Sequence, residues 1–438
     1  MSMEKLNAMN GAPCPCGKAH RFTADVVIGS GVIEQIPEYV KKYGGTKVFV
    51  LSDVNTYAAA GEQVQKILHR AGIPISQYSF PEKSLEPDEK SVGSAVMHYD
   101  VACDLIVAVG SGVINDIGKI LSNMTGHPYI IVGTAPSMDG YASASSSMTR
   151  DGLKISLPSR SADVIIGDTD ILCQAPLHMM KSGLGDMLAK YVSICEWRLA
   201  HLITGEYYCE EVARLIRSAL KRCTDNAEGL LRREEAAVRA VFEGLVIGGV
   251  AMNYAGLSRP ASGVEHYISH VLDMRAVEFG TPMDLHGIQC AIGTRIAASM
   301  YEKLQTITPD REKALAHAAA FDYDAHQRLL RQLLGKGAES MIALEATEGK
   351  YDLVAHAARL EIVLEHWDEI LAIISQEIPP MQTLDLILDT IAAPKTLPEI
   401  GTHESLLPNI FRATKDIRDK YVLSRLAWDL GIEEELLA

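Results

Sequence analysis

Five short apolar runs mark the first part of the chain, up to about residue 170. They are rich in valine and isoleucine, and they lie at 24–29, 47–52, 104–110, 129–133 and 163–167. The stretches between them are amphipathic, as at 61–72, and their apolar residues have helical spacing. Near-continuous apolar strands that alternate with helices are typical of a parallel sheet covered on both faces. The pattern therefore predicts an α/β, Rossmann-like domain over residues 23–174.

Beyond about residue 175 the spacing of apolar residues is almost entirely helical. Helical stretches lie at 206–233, 236–254, 264–274, 286–303, 311–335, 353–375 and 405–430, and prolines punctuate 377–381 and 392–398. The second part of the chain, residues 175–438, is thus predicted to be an all-α domain. Residues 1–22 are predicted to form a separate cysteine-containing segment. We expect the active site in the cleft between the α/β and the helical domain.

Composition and charge narrow the class of protein. The 438 residues are 47% hydrophobic and 22% charged, with a net charge of −15, which is ordinary for a globular protein. The acidic balance and the lack of a long basic run argue against a nucleic-acid partner. No apolar run is long enough to cross a bilayer, and the N-terminus has no apolar signal core. We therefore expect a cytoplasmic protein without a membrane partner.

Eight cysteines are spread along the chain, most of them single and inside apolar stretches. In a chain of this length without a signal peptide, a disulfide framework is not expected. Cys14, Cys16 and His20 are three possible soft metal ligands with no obvious fourth nearby. They indicate either a segment without a catalytic role or a second zinc site.

A glycine turn follows the strand predicted at 104–110. Gly110, Ser111 and Gly112 lead into a predicted helix that contains Asn115 and Asp116. Glycines allow phosphate to approach the backbone, and a helix N-terminus offers unpaired N–H donors. The third glycine of the usual G-x-G-x-x-G pattern is absent. The turn predicts a nucleotide pyrophosphate site, with an ordinary strand–helix turn as the alternative.

Two further strand ends carry polar residues. Asp53 ends the second strand, where it would either bind a ribose hydroxyl, which would favour NAD over NADP, or cap the next helix. The serine-rich loop 134–147 follows the strand at 129–133 and contains Thr134, Ser137 and Asp139. Ligands bind at the carboxyl ends of strands in open α/β sheets. We therefore predict a binding loop here, against the alternative of a flexible surface loop.

One carboxylate and two imidazoles in the helical part, Asp186, His266 and His286, suit a catalytic divalent metal. His266 and His270 are four residues apart and share a helix face, so spacing alone leaves open which of them is a ligand. The alternatives are a surface ion pair of Asp186 with Lys190, a helix-start role for His286, and purely structural histidines, since the chain has 14.

Several segments, taken together and in this order, resemble the glycerol-1-phosphate dehydrogenases. They are GSGVINDIGK, TAPSMDGYAS, GLGDMLAKY with EWRLAH, SGVEHYISH and LHG, and the similarity runs from about residue 20 to 431. The match is to the bacterial AraM-type branch of the superfamily that includes glycerol dehydrogenase, iron-containing alcohol dehydrogenases and dehydroquinate synthase. The resemblance implies a dehydroquinate synthase-like fold with an all-α C-terminal domain. Ser111 departs from the broader superfamily, where a glycine stands, so its hydroxyl is expected to alter the phosphate contacts.

The resemblance also implies a role for each site residue. The coenzyme, NAD or NADP, would contact Gly110, Gly112, Asn115, Asp116, Thr134, Ser137 and Ser143, with Asp53 near the adenosine ribose. The metal ligands would be Asp186, His266 and His286; the substrate contacts with a catalytic role would be Asp139, Asp186 and His270. Zinc, nickel and iron all tolerate this ligand set.

The reaction implied by the resemblance interconverts dihydroxyacetone phosphate and sn-glycerol 1-phosphate. The metal acts as a Lewis acid on the C2 oxygen while hydride moves to or from the nicotinamide. Three alternatives stay open: a glycerol or other alcohol dehydrogenase of the same fold, a sugar-phosphate cyclase that uses NAD transiently, and a non-catalytic descendant. We expect a small phosphorylated substrate and a homodimer.

Overall fold

The computed structural model describes residue 6, residues 8–151 and residues 153–438. Residues 1–5 and 7 of the predicted N-terminal segment therefore lie outside the described residues. The chain forms two compact units. The first consists of Met1–Met187 and Arg214–Gly256, and the second of Leu188–Ala213 and Leu257–Ala438.

A six-stranded parallel sheet forms the centre of the first unit. Its strands are β1 (Asp25–Gly29), β2 (Val48–Asp53), β3 (Ile75–Phe80), β4 (Leu105–Gly110), β5 (Tyr129–Gly133) and β8 (Val164–Asp168), in the order β1-β8-β5-β4-β2-β3. A separate antiparallel hairpin joins β6 (Ser145–Arg150) to β7 (Leu153–Pro158). All five strands predicted from the apolar runs are confirmed.

Three strands of this unit were not predicted: β3 and both strands of the hairpin. Strand β3 lies at the edge of the sheet and is only partly buried, so its polar residues weaken the apolar signal. The hairpin strand β6 begins inside the loop predicted at 134–147. Its serines also weaken the apolar signal of a strand. The loop itself thus ends before Ser145.

The helices of the first unit flank the sheet. They are α1 (Ile36–Lys42), α2 (Val54–Thr56), α3 (Glu62–Arg70), α4 (Glu89–His98), α5 (Gly112–Thr125), α6 (Thr169–Leu172), α7 (Leu177–Leu188), α9 (Glu210–Asp225), α10 (Ala227–Leu230) and α11 (Glu235–Ala255), of which α7 and α9 each have an end in the second unit. Buried valines, isoleucines and leucines of the sheet, α1 and α3 form an apolar cluster. Burial of this kind stabilises by about 25 cal/mol per Å² of apolar surface.

The two units are divided differently from the predicted ranges 23–174 and 175–438, because α7 and α11 belong almost wholly to the first unit. The reason is visible at Phe242 of α11. A Cβ atom on Gly133 or Gly167 would lie 2.8 or 2.3 Å from the ring of this phenylalanine. Phe242 therefore fills the space that two glycines leave at the ends of β5 and β8. Spacing in the sequence could not show that a helix 60 residues later completes the sheet's core.

The second unit is helical, as predicted. It contains α8 (Lys190–Thr204), α12 (Val264–Phe279), α13 (His286–Leu304), α14 (Arg311–Ala319), α15 (Tyr323–Leu334), α16 (Gly337–Glu348), α17 (Leu353–Glu365), α18 (Trp367–Glu377), α19 (Met381–Thr390), α20 (Leu407–Thr414), α21 (Leu423–Leu430) and α22 (Glu433–Leu437). The predicted stretches 311–335, 353–375 and 405–430 are each two helices, and α8, α16, α19 and α22 were not predicted. Among the described residues, no helix is both long and apolar enough to cross a membrane.

Candidate active site

The glycine turn joins β4 directly to α5. A Cβ atom on Gly110 would lie 2.5 Å from Cβ of Ile114, so the turn needs a glycine for the helix to pack this close to the strand. At the start of α5, Ser111 makes no side-chain cap. The first N–H groups of this 14-residue helix are thus available to an anion. The turn fits the predicted pyrophosphate site.

Asn115 and Asp116 hold neighbouring loops in place. Asn115 stands where the usual motif has its third glycine; its side chain is buried, donates to the Gly140 carbonyl (3.0 Å) and accepts from the Tyr129 hydroxyl (3.0 Å). Asp116 forms an ion pair with the fully buried Lys119 (2.8 Å). Both residues therefore have a structural role in the protein, and their coenzyme contacts stay a prediction.

The loop after β5 is bonded to the glycine turn. The N–H of Thr134 donates to the Gly110 carbonyl (3.1 Å), and the hydroxyls of Ser111 and Ser137 lie 2.5 Å apart. The hydroxyl of Ser111 is thus directed at Ser137 rather than along the helix axis. Further along the loop, Ser143 bonds to Lys119 (3.3 Å). The predicted coenzyme residues of β4, α5 and this loop form one connected group.

Asp139 and Asp186 are joined by a hydrogen bond. The N–H of Asp139 donates to Oδ2 of Asp186 at 2.9 Å, and the Asp186 side chain is fully buried. Helix α7 approaches so closely that a Cβ atom on Gly183 would lie 1.8 Å from the Pro136 carbonyl oxygen. Gly183 is therefore a positioning residue that sequence reasoning missed, although its GLGD context was a signal. Lys190 is also fully buried, so the surface ion-pair alternative for Asp186 is wrong.

Asp53 caps a helix. Its Oδ1 accepts from the N–H groups of Asn55 (2.7 Å) and Thr56 (2.8 Å), while its own N–H donates to the Thr56 hydroxyl (2.9 Å). The capping alternative is confirmed. Oδ2 takes no part in these bonds, so the predicted ribose contact is compatible with the cap and stays a prediction.

The three candidate histidines of the second unit lie together. His266 and His270 are on α12, and His286 is the first residue of α13, so its helix-start alternative is also true. The ring of His286 is 5.0 Å from that of His266 and 6.0 Å from that of His270, measured between centroids. Two helices thus place all three imidazoles in one group.

Each of the two predicted imidazole ligands is held through Nδ1. Nδ1 of His266 lies 2.8 Å from Oε1 of Glu265, and Nδ1 of His286 lies 2.9 Å from the Ser269 hydroxyl. Partners of this kind at Nδ1 orient the ring and leave Nε2 for a metal. Burial and the positive charge of Lys190 lower the pKa of His266 well below its usual value. Its imidazole is therefore neutral, which is the form that binds metal.

Buried side chains that the sequence did not suggest surround this group. The Cys290 sulfur lies 3.6 Å from Nε2 of His286. Burial and the nearby Glu196 raise the pKa of Glu265 to about 8, and burial raises that of Glu196 to about 7. A Cβ atom on Gly263 would lie 2.5 Å from Glu196 Oε2, so only a glycine fits beside these carboxyls.

A half-buried lysine, Lys420, belongs to the same unit. Lys420 donates to the Ser262 carbonyl at 2.8 Å, and its ammonium stands 5.8 Å from the centre of the Tyr267 ring. Burial and the charges of Arg259 and Arg418 lower its pKa to about 7, and its charge in turn lowers the pKa of His266. The lysine is therefore within electrostatic reach of the histidine group.

Known proteins share both the sequence and the fold. Residues 27–176 match the family model described as iron-containing alcohol dehydrogenase. A glycerol-1-phosphate dehydrogenase [NAD(P)+] of Halalkalibacterium halodurans is 34% identical over 294 residues, which is 66% of this chain and 74% of that protein. The chain belongs to the glycerol-1-phosphate dehydrogenase family.

An archaeal member is similarly related. The glycerol-1-phosphate dehydrogenase [NAD(P)+] of Methanosarcina mazei is 34% identical over 272 residues, 62% of this chain and 74% of that protein. The crystal structure of maleylacetate reductase from Rhizobium sp. strain MTP-10005 has a TM-score of 0.61, 16% identity and 95% coverage of both chains. The fold is therefore that of the iron-containing alcohol dehydrogenases. The family uses a nicotinamide coenzyme and a divalent metal.

Proposed function

We propose that this chain is a metal-dependent, NAD(P)-linked dehydrogenase that interconverts dihydroxyacetone phosphate and sn-glycerol 1-phosphate. The observation that carries the proposal is the pair of adjacent imidazoles, the buried His266 and the half-buried His286, each with a protein oxygen at Nδ1. Imidazoles whose Nδ1 atoms are anchored in this way are ligands for a divalent metal. The glycerol dehydrogenase and cyclase alternatives are not favoured, since the relatives carry the name glycerol-1-phosphate dehydrogenase.

The metal would be held by Asp186, His266 and His286. The donors fit the group, because a buried carboxylate and two imidazoles match the preferences of zinc, nickel and iron. When bound, the metal supplies a Lewis acid for the substrate's C2 oxygen and the nicotinamide supplies or accepts hydride. Asp186 keeps its carboxylate oriented by the backbone N–H of Asp139, so both residues are held in one geometry.

The coenzyme would lie along the glycine turn. Gly110 and Gly112 allow its phosphates to approach the uncapped start of α5, and Asn115, Asp116, Thr134, Ser137 and Ser143 would line its path. Asp53 would reach the ribose through Oδ2. His270 and Asp139 would orient the substrate. Because His270 lies beside His286, a charge on its ring would act directly on the substrate's phosphate or hydroxyl groups.

Lys420 favours a phosphorylated substrate. Burial and two neighbouring guanidinium groups lower the pKa of the half-buried Lys420 ammonium to about 7, and a phosphate dianion beside it would supply a compensating negative charge. Free glycerol offers no such partner. We therefore infer that Lys420 separates phosphorylated from unphosphorylated substrates.

The central test is turnover of dihydroxyacetone phosphate with NADH or NADPH, after chelation and after return of Zn²⁺, Ni²⁺ or Fe²⁺. Activity that is lost on chelation and restored by a metal supports the proposal. Faster turnover of glycerol than of glycerol 1-phosphate, or no net change in NADH absorbance, would contradict it.

Lys420→Met tests the phosphate contact separately. Loss of one charged hydrogen bond should raise the KM for dihydroxyacetone phosphate by about 10- to 100-fold, and Lys420→Arg should restore most of it. The Tm should not fall, because the substitution removes a half-buried cation. Lys66→Met on the surface is the matched control. A normal KM in Lys420→Met, with an active wild-type enzyme, would remove Lys420 from the site and leave the reaction standing.

The oligomeric state and the cellular location are two further predictions. A homodimer is expected, and light scattering on the purified protein would test it. A cytoplasmic location is also expected, because both substrates are small polar metabolites, and cell fractionation would test that.

A further inference from the structure

Near the N-terminus, a tight turn brings two cysteines and a histidine together. The N–H of Gly17 donates to the Cys14 carbonyl (2.9 Å), and the N–H of Cys14 donates to the Lys18 carbonyl (3.2 Å). Gly17 has φ of 83°, which a glycine adopts without strain. The sulfurs of Cys14 and Cys16 and a ring nitrogen of His20 all lie within 4.8 Å of one another.

His20 is oriented by a backbone carbonyl. Its Nδ1 lies 2.9 Å from the Tyr254 carbonyl oxygen, which can only accept, so Nδ1 carries the proton. Nε2 is then the basic nitrogen, and it lies 3.4 Å from the Cys16 sulfur. The ring is buried. This is the arrangement that orients a histidine toward a metal in known zinc sites.

The spacing of these atoms matches zinc. With a Zn–S bond of about 2.3 Å and a Zn–N bond of about 2.0 Å at a tetrahedral angle, sulfur and nitrogen ligands stand about 3.5 Å apart. The Cys16–His20 separation of 3.4 Å is close to that value.

The turn is attached to the end of α11. The Tyr254 hydroxyl donates to the Leu6 carbonyl (3.2 Å), and Lys18 reaches the Ala255 carbonyl (3.4 Å). Leu6 is itself buried. An ion at the turn would therefore fix the N-terminal segment on the helix that fills the glycine gaps of the sheet.

We propose that Cys14, Cys16 and His20 bind one structural zinc ion, distinct from the catalytic metal. Binding deprotonates both thiols and releases two protons to solvent, while His20 coordinates as the neutral imidazole. Structural zinc is four-coordinate, so a water or a further sulfur completes the set. The ion's role is to hold the N-terminal segment against α11.

The test uses the full-length protein and its variants Cys14→Ser and His20→Ala. We expect each variant to lose one equivalent of zinc per chain, measured by mass spectrometry of metals, and to melt about 5 °C lower. Cys103→Ser, a single buried cysteine of the same unit, is the matched control and should keep its zinc. Equal zinc content in the wild type and Cys14→Ser would overturn the proposal.

Cobalt substitution separates this site from the catalytic one. Cobalt bound by thiolates has a near-ultraviolet charge-transfer band, which should vanish in Cys14→Ser and persist in Cys290→Ser, whose sulfur lies beside His286. The opposite pattern would overturn the assignment. If Cys14→Ser does not fold, His20→Cys should still bind zinc through three sulfurs, and its failure to do so counts against the site. Zinc-edge X-ray absorption should show at least two sulfur neighbours, and none would refute the proposal.

Discussion

The helical unit contains two polar groups, each built around one buried histidine, His266 or His326, and their electrostatics differ. In the first, His266 and His286 bond to Glu265 and to the Ser269 hydroxyl, and the pKa of Glu265 is raised to about 8 by burial and Glu196. In the second, His326 lies 2.6 Å from Asp416. Although burial opposes ionisation there, the hydrogen bond from His326 and the charge of Arg425 lower the pKa of Asp416 to about 2.

The difference separates a binding site from a polar core. Around Asp416, protein groups supply the balancing donors: the Tyr351 hydroxyl reaches both carboxylate oxygens, at 3.0 and 2.8 Å, and Arg425 stands at 3.4 Å. Around His266, the protein's own groups favour the protonated carboxyl. A cluster that the protein neutralises needs no ligand, whereas one that it does not neutralise has a place for a cation. Burial of a histidine therefore does not by itself distinguish a binding site from a polar core.

The largest effect should follow from His286→Ala. Loss of a metal ligand removes a Lewis-acid contribution of several kcal/mol, so kcat should fall by about 10³-fold or more, with the Tm nearly unchanged. Steady-state kinetics and bound catalytic metal are the measurements. His403→Ala removes an exposed histidine of the same unit and is the control, which should retain activity. If His286→Ala kept normal turnover, the metal assignment would fail.

Asp416→Asn should lower the stability of the protein and leave its turnover nearly unchanged. Breaking a buried ion pair should lower the free energy of unfolding by about 3 kcal/mol while kcat changes little. The folded pKa of Asp416 lies below its ordinary value of 3.8. Its contribution is therefore present at neutral pH and is lost as the pH falls from about 4 to about 2.

Denaturation of wild type and Asp416→Asn at several pH values measures this contribution. The two proteins should converge in stability at low pH. Asp389→Asn, which breaks an exposed pair with Lys395, is the control and should change stability by less than about 1 kcal/mol. A gap between wild type and Asp416→Asn that does not depend on pH would show that the carboxylate's charge is not the cause.

Ser269→Ala should have a smaller effect that is specific to the site. The variant loses the oxygen that orients His286, and such partners are worth about 10- to 100-fold in metal affinity. Titration with Zn²⁺ and a competing chelator measures this. Ser340→Ala removes a hydroxyl bonded only to its own helix backbone in the structure (2.9 Å to the Gly337 carbonyl) and should leave affinity unchanged. Equal affinities in the two variants would mean that Ser269 does not position the ligand.

The smallest effect is expected in the first unit. There Asp53 caps helix α2 and is also predicted to contact the ribose of the coenzyme. Asp53→Ala should cost about 1 kcal/mol of stability, and Asp53→Ser should recover it, because serine also caps helices. Asp53→Ser lacks Oδ2, so its KM for NAD should still be raised if the ribose contact exists. A normal KM with a restored Tm would leave the cap as the only role.

The sequence predicted the sheet because β2, β4, β5 and β8 are buried on both faces and therefore read as apolar runs, and because the half-buried edge strand β1 is also apolar. It missed β3, the other edge strand, because serine and glutamine interrupt its apolar residues. In the site, residue types and the family resemblance indicated the histidines and Asp186. They could not indicate Glu265 or Ser269. A residue that orients a ligand can be identified only from its contact with that ligand in the structure.

Distance in the sequence explains the other omissions. Phe242 completes the sheet core across more than 70 residues from Gly167, and Gly183 meets Pro136 across nearly 50. Such pairs have no local periodicity to reveal them. The choice between His266 and His270 as ligand also depended on family resemblance, because both share one face of α12.

The contact between Gly183 and Pro136 has a consequence for engineering. It fixes helix α7, with Asp186, to the backbone of the loop that carries Thr134 and Ser137. A substitution that shifts this loop to admit another coenzyme would also move the carboxylate of Asp186. Changes of coenzyme preference should therefore be sought on β2 and around Asp53, whose backbone can be altered without moving α7.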